Sequence, residues 1–385
     1  MYDGSNPVPP RYQRACRYEA FIPTPLTDLP SIDPHVAGTI SAAEDAVRQL
    51  NSVAQPALKP LARLLLRSES IASSKVEGMQ VDARTLARAE ARFDQGEALR
   101  PEAVEVLANI TAMQLAVDEA TVADELTLQH LIDTHRALLE RAVNGERIAG
   151  VVRTRQNWIG GNDYNPCGAN FVPPPHDYVQ PLLDDLLRFA NEETLPPIAQ
   201  AAHAHAQFET IHPFEDGNGR TGRALVQMIL RRRGLAPDYV PPISVVLAAD
   251  KARYIEGLIA FREGREGEWL QIFAAAAARA AELAAVFLVQ VQQLQQQWRA
   301  QLAEHHVRSD AAAWAVIEVL PGHPMISVPV AVGATGRARA AIQQAVAVLV
   351  EARVLRPLSN AQRNRQWEAV GLLDLAAEFE SVPAR

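Results

Sequence analysis

Cysteine is almost missing. Cys16 and Cys167 are the only two in 385 residues, too few for a disulfide framework and without the spacing of a metal site. A reducing compartment fits, and a cytoplasmic location is expected. No stretch approaches ~18 uninterrupted apolar residues. The start, Met1-Tyr2-Asp3-Gly4, has no basic segment followed by an apolar one, so neither a signal peptide nor a membrane span is expected. An excess of basic residues is also lacking. Thirty-seven Lys and Arg face 45 Asp and Glu, for a formal charge of −8, and nothing draws the chain as a whole to nucleic acid or to an anionic membrane. No sequence repeat of roughly 20–50 residues is seen.

What is present is a hydrophobic fraction of 48% in a chain longer than one core ordinarily serves, which implies two or three structural units. Residues 1–34 are proline-rich, with Pro7, Pro9, Pro10, Pro23, Pro25, Pro30 and Pro34, and predict an extended arm over a folded body. Apolar residues at three- and four-residue spacing then predict helices at about 34–53, 60–77, 82–94, 101–119, 126–143, 177–191, 197–211, 218–233, 249–262 and 266–304. Gly78 stops the second of them. The pattern breaks at 150–172, where β-branched and aromatic residues run into Gly160-Gly161-Asn162-Asp163 and resume at Ala169–Val172 before Pro173-Pro174-Pro175. That reads as a short β-hairpin. Beyond 307 the order is helix (Ala311–Leu320), short apolar segment (Val328–Val332), turn, helix (Arg337–Arg353), and two strands around a polar tip at Ser359–Arg365. This is the order of a winged helix.

Chemistry concentrates at His212-Pro213-Phe214-Glu215-Asp216-Gly217-Asn218-Gly219-Arg220-Thr221-Gly222-Arg223. Gly217 and Gly219 let backbone N–H groups converge on an anion, and the helix that begins there adds the positive end of its dipole. Arg220 and Arg223 oppose that dipole by about 0.3–1 kcal/mol each when exposed, so their placement calls for an anion, with phosphate the obvious one. Glu77 is misplaced in the opposite sense. It is a carboxylate at the negative end of its helix, sharing a face with Ser73, and a cationic partner is expected.

The twelve residues resemble the signature of the Fic family, His-Pro-Phe-x-(Asp/Glu)-Gly-Asn-Gly-Arg-x-x-Arg, at every defined position. Ser73-Ser74-Lys75-Val76-Glu77-Gly78 looks like the inhibitory motif of that family, placed N-terminal to the core. The resemblance implies a mainly α protein: a Fic helical core with a short β-hairpin flap at 150–172, at which an unknown target protein docks, followed by a C-terminal winged-helix domain. Expected boundaries are an arm at 1–34, a helical region with the inhibitory helix at 35–100, the core at 101–305 and the winged helix at 306–385. The implied activity is transfer of AMP from ATP to a hydroxyl side chain of a target protein, or of the chain itself, with Mg²⁺. His212 is then the general base, since an imidazole is suited to that near neutral pH. Asp216 ligates Mg²⁺, a hard cation that prefers oxygen. Gly217, Asn218, Gly219, Arg220, Thr221, Gly222 and Arg223 hold the nucleotide phosphates. Tyr254 matches a family tyrosine near the nucleotide, with a buried structural tyrosine the competing reading. Glu77 pairs with Arg223 and inhibits, and the same glutamate extends the activity to removal of AMP. Phe214 is read as a core anchor, Trp158 and Ile159 as core or target-facing.

Two alternatives stand beside this one. His205, Glu209 and His212 fall on one helical face, the pattern of a metal-dependent hydrolase, although Pro213 and two nearby arginines speak against it, and His203 and His205 read better as packing residues. A winged-helix DNA-binding regulator with a vestigial core would use Arg337, Arg339, Arg356, Arg363 and Arg365. A protein-docking role needs none of these and is favoured. The target, the nucleotide base and the oligomeric state stay open, a homodimer included.

Overall fold

A computed structural model describes residues 9–13, 15–26, 32–52, 59–93, 99–309, 311–358 and 365–381. The organising element is α8 (Pro197–Ile211). It opens on a proline, which suits a first helical position, and continues through alanine-rich sequence in which every residue from Ile198 to Ile211 is buried. A helix buried on all sides must be wrapped by others. α9 (Asn218–Arg232), α7 (His176–Asn191) and α12 (Glu266–Ala303) pack against it. α12 is long and apolar enough by composition to cross a membrane, but half of its most apolar stretch is buried within this fold. It lies against α1 (Pro34–Ser52), α10 (Ile243–Ala249) and α11 (Lys251–Arg262). Trp269, Phe273, Phe208 and Phe214 fill the junction and are wholly buried, each worth about 1.5–3 kcal/mol relative to exposure.

On the other side, α2 (Lys59–Val76) packs on α4 (Pro101–Val122), α9 and α10. Its last residues deliver Glu77 to the start of α9. The turn closes because Gly78 takes φ +93, in the left-handed region, while Met79 N–H donates to Ser74 C=O. α3 (Ala83–Phe93), α5 (Leu128–Leu139) and the short α6 (Gly145–Ile148) complete this part.

The C-terminal region runs α13 (Ala312–Val319), β1 (Met325–Ser327), α14 (Val328–Thr335), α15 (Arg339–Glu351), β2 (Leu355–Pro357), β3 (Gln366–Ala369) and α16 (Leu372–Glu380). Its antiparallel sheet has the order β1-β3-β2, with Ile326 opposite Trp367 and Arg356 opposite Glu368. α16 packs on α12, α3 and α2. Lys75 reaches Glu380 at 3.2 Å, and Arg84 binds Glu368 at 2.8 Å and Asp374 at 2.6 Å.

The structure departs from the sequence expectation at several points. The hairpin over 150–172 reduces to one bridge, Ile159 opposite Phe171, because polar side chains organise the tip instead of a strand ladder. Asn162 Oδ1 accepts from the N–H groups of Tyr164 and Asn165, and Asn165 Oδ1 from that of Cys167. α10, β1 and α16 were not expected. The two cysteines, too few for a disulfide framework, are joined as a single Cys16–Cys167 disulfide with Cα atoms 6.1 Å apart. Sequence spacing says nothing about such a pair, since their approach depends on the arm lying over the flap. Arg363, the tip 359–364 and parts of the arm lie outside the described residues.

Candidate active site

α8 ends where His212 turns into the left-handed region, φ 51, with its N–H still bonded to Phe208 C=O at 2.9 Å. Pro213 then forbids another helical turn. Three side chains hold the loop that follows. Arg153 Nε and Asn157 Nδ2 donate to His212 C=O at 2.9 and 3.1 Å, and Asn157 also donates to Phe214 C=O at 2.9 Å. His135 stacks flat on Phe214, ring centroids 3.7 Å apart. Its Nδ1 accepts from Gly150 N–H, so the proton sits on Nε2, which donates to Asp216 C=O; both bonds are 2.9 Å. Burial drives the His135 pKa down to about 4, which keeps this neutral tautomer in place.

Gly217 caps α9 with φ +73, and Asn218 Oδ1 and Nδ2 both bond to the backbone of Phe214 at 2.9 Å. The leading N–H groups of α9 have no acceptor within their own helix. The anion that meets this end is a carboxylate of the same chain. A Cβ at Gly219 would collide with Glu77 Oε1, so glycine is required there for the close approach. Arg223 Nη2 donates to the same Glu77 oxygen at 2.6 Å and to Ser73 C=O at 2.8 Å, while its Nε donates to Ser73 Oγ at 2.9 Å. Burial alone would raise the Glu77 pKa, but the Arg223 guanidinium outweighs it and holds the carboxyl below its ordinary range. Burial likewise works against the charge on Arg223, and Glu77 more than restores it. Arg220 is buried, 3.3 Å from Glu105 and 3.8 Å from Asp216.

His212 is half-buried, and burial pushes its pKa down to about 4, with Arg153 acting in the same direction. The ring is therefore neutral and able to accept a proton at pH 7. Asp216 presents a largely exposed carboxylate whose Oδ1 accepts from Gly217 N–H at 2.6 Å.

The remaining expected residues lie deeper. Asn218 gives its side chain to the loop and only its backbone to the cradle. Thr221 is buried with Oγ1 lacking a hydrogen bond. Gly222 faces α8, where a Cβ would come within 3.0 Å of Glu209 Oε1 and 3.1 Å of His205 Nδ1. Tyr254 is 4% exposed, shares a 2.9 Å hydrogen bond with His205 Nε2 and lies beside Arg223. His203 packs between Phe189 and Phe261. Among the described residues no group of three or more His, Cys, Asp or Glu is placed to hold a metal ion, and His205, Glu209 and His212 do not form one. Sequence reasoning missed Arg153, Asn157 and His135. Their role lies in bonds to backbone groups far away in the chain, and no local pattern marks it.

A helical core that presents an arginine-clamped glycine loop, a flap beside it and a carboxylate from a preceding helix against it is the arrangement that the resemblance to the Fic family implies. Residues 125–230 match the model of the Fic/DOC family, and residues 38–118 that of the Fic/DOC family N-terminal region. Protein adenylyltransferase fic-1 of Caenorhabditis elegans is 36% identical over 121 residues, 31% of this chain and 22% of that protein. Protein adenylyltransferase Fic of Drosophila melanogaster is 29% identical over 171 residues, 43% of this chain and 32% of that one. The chain thus spans a third or less of the length of these relatives. Among solved structures, a Fic family protein from Desulfovibrio desulfuricans superimposes with a TM-score of 0.52 at 21% identity, covering 89% of this chain and 98% of that one. Fic-1 from Caenorhabditis elegans gives 0.50 at 22% identity, covering 67% and 73%. At these identities the likeness is one of fold.

Proposed function

We propose that this chain is a Fic-type nucleotidyltransferase that moves AMP from ATP to a hydroxyl side chain of a protein, and that Glu77 holds it in check. One observation carries the reading: a carboxylate of the chain's own N-terminal region lies against Gly219, paired to Arg223, at the place where the loop is built to receive a phosphate. The names of the relatives, protein adenylyltransferases, support the reaction class.

In this mechanism ATP phosphates lie along the first turn of α9. Arg220 and Arg223 neutralise charge that grows toward the transition state. The incoming hydroxyl gives its proton to neutral His212, whose backbone Arg153 and Asn157 hold, so that oxygen attacks the α-phosphorus and pyrophosphate leaves. Asp216 is a fit site for Mg²⁺ only as one ligand among several. It offers a single carboxylate with Arg220 nearby, so phosphate oxygens and water would have to supply the other ligands. A Mg²⁺ bound there supplies further neutralisation of phosphate charge. While Glu77 keeps Arg223, the terminal phosphate is denied its clamp and productive seating of ATP is rare. Self-modification and removal of AMP from the target belong to the same proposal. So do the domain boundaries, a cytoplasmic location, and a C-terminal winged helix that docks protein.

Purified Glu77→Gly protein, given ATP, UTP or GTP labelled at the α-phosphate, tests it. Label from ATP should appear on the chain or on added proteins. Absence of label from all three would refute the transferase reading, and a preference for UTP or GTP would move the donor.

A further inference from the structure

Glu77 lies in the short connection from α2 to α3, and the C-terminal region grips that connection at both ends. Lys75 C=O accepts from Gly78 N–H at 2.9 Å and so closes the turn, while its ammonium reaches Glu380 Oε2 at 3.2 Å. Glu380 is the last residue of α16, a carboxylate at the negative end of its own helix dipole, and Lys75 answers it across the seam. Its side chain is 3% exposed. Burial pushes the carboxyl up, and Lys75 draws it part of the way back; a charge at that depth is costly without its partner. At the other end, Arg84 stands in the first turn of α3, again against the dipole. It divides its guanidinium between Glu368 Oε1 of β3 at 2.8 Å and Asp374 Oδ1 of α16 at 2.6 Å. Glu368 is 1% exposed and takes Arg356 as well, at 2.9 Å. α16 has a firm seat of its own. Phe379 stacks on Phe287 of α12 with centroids 4.5 Å apart, and Trp298 Nε1 donates to Val370 C=O at 3.1 Å. The start of α2 meets the same region, where a Cβ at Gly322 would lie 3.5 Å from Pro60.

We propose that Lys75 and Arg84, with Glu380, Glu368 and Asp374 opposite them, are positioning residues for Glu77, and that the C-terminal region braces the turn that brings Glu77 to Gly219 and Arg223. The effect on transfer rests on the reading above, in which Glu77 restrains the enzyme; the brace itself does not. Arg223 holds Glu77 by its carboxylate, whereas α16 and β3 hold the backbone that carries it. Residues 76–83 run between the two grips and include Gly78, whose φ of +93 belongs to a position free to turn. With Lys75 and Arg84 both tied to the C-terminal region, that connection keeps one course. With the ties cut, the turn opens more often and Arg223 is free for longer. Such a coupling is reciprocal: a ligand that binds the C-terminal region better with the brace open raises transfer, and nucleotide in the cradle loosens the brace.

Glu380→Gln and Arg84→Met, made together in the full chain, test the proposal in the wild-type and Glu77→Gly backgrounds. Hydrogen–deuterium exchange of the nucleotide-free protein over 74–82 should rise by ~10-fold or more, as local opening does, and leave α8 unchanged. AMP transfer should rise by about 3–10-fold in the wild-type background, a part of the ~5–150-fold expected of an ordinary coupling between sites. In the Glu77→Gly background the same two substitutions should add nothing. If the double variant loses protection of α8, Glu380→Gln alone, which keeps size and shape, carries the test. Unchanged exchange over 74–82 in a variant whose α8 stays protected overturns the brace. A change in transfer of equal size with and without Glu77 overturns the positioning role, since a merely structural contact acts on both backgrounds alike. The exchange arm uses no nucleotide, so its failure is distinct from a failure of Glu77→Gly to label anything.

Discussion

Arg220 and Arg223 stand at the start of α9 with 2% of their surface exposed, each facing acids, whereas Arg337, Arg339, Arg356 and Arg365 of the C-terminal region lie open to water. The difference is one of cost. A buried guanidinium loses several kcal/mol of hydration unless an anion replaces it, so Glu77 and Ser73 at Arg223, and Glu105 with Asp216 at Arg220, are what the fold supplies for want of phosphate. A surface arginine loses nothing and demands nothing. Arg356 is already matched by Glu368 at 2.9 Å, and Arg365 rests over the Trp367 ring at 5.2 Å. Arginine count therefore says little about where an anion binds in this chain, while burial at the wrong end of a helix dipole says much.

The buried side of that comparison is sharpened most by His212→Ala. Transfer of label should fall by about 10²–10⁴-fold, the usual range for a general base, with ATP binding by calorimetry kept. Loss of binding instead would make His212 a part of the cradle and not the base. Ser73→Ala should be smaller. It removes a hydrogen bond to Arg223 worth about 0.5–1.5 kcal/mol, so transfer should rise by roughly 2–10-fold while the melting temperature drops. No rise would mean that Ser73 does not contribute to the restraint.

A pH series tests the charges themselves. Glu77 has its pKa depressed by Arg223, so the pair contributes stability above the ordinary carboxylate range and loses it as pH falls through the lowered value. His212, with a pKa near 4, is neutral over the same range and becomes charged only below it. Neither Glu77 nor His212 should therefore change the ratio of Glu77→Gly to wild-type rates between about pH 8 and pH 5; a change near neutrality would report Glu69 and Glu209, whose carboxyls burial beside Arg223 pushes up to about 7. The exposed side should give the smallest effect. Arg339→Ala with Arg365→Ala should alter stability by no more than about 0.5 kcal/mol. It should also leave retention of duplex DNA unchanged at two salt concentrations. Strongly salt-dependent retention abolished by the pair would break the comparison and favour a DNA-reading role.

The loop at 212–223 was legible because its chemistry is local: the break of α8 at His212-Pro213, the left-handed Gly217, and two arginines opposing a dipole lie within one stretch. Glu77 was legible as an electrostatic oddity, and the family motif supplied its partner 146 residues away. Arg153 and His135 were not. They act on the carbonyls of His212 and Asp216, 59 and 81 residues distant, through bonds that any polar side chain in the right place could make. Tyr254 matched the family position, and its bond to His205 beside Arg223 depends on the packing of α11 on α8, which no local pattern marks. β1 escaped because three residues are too few to set a period, and the cysteine pair because its closure depends on the arm's course over the flap.

The central claim is that Glu77 occupies the place of a phosphate. Initial rates of AMP transfer from ATP, measured side by side for wild type and Glu77→Gly, test it most directly. The variant should be faster by about 5–150-fold, the span of an ordinary coupling between sites, and His212→Ala should abolish the gain. Equal rates, or a variant that binds ATP no better and transfers nothing, would contradict it.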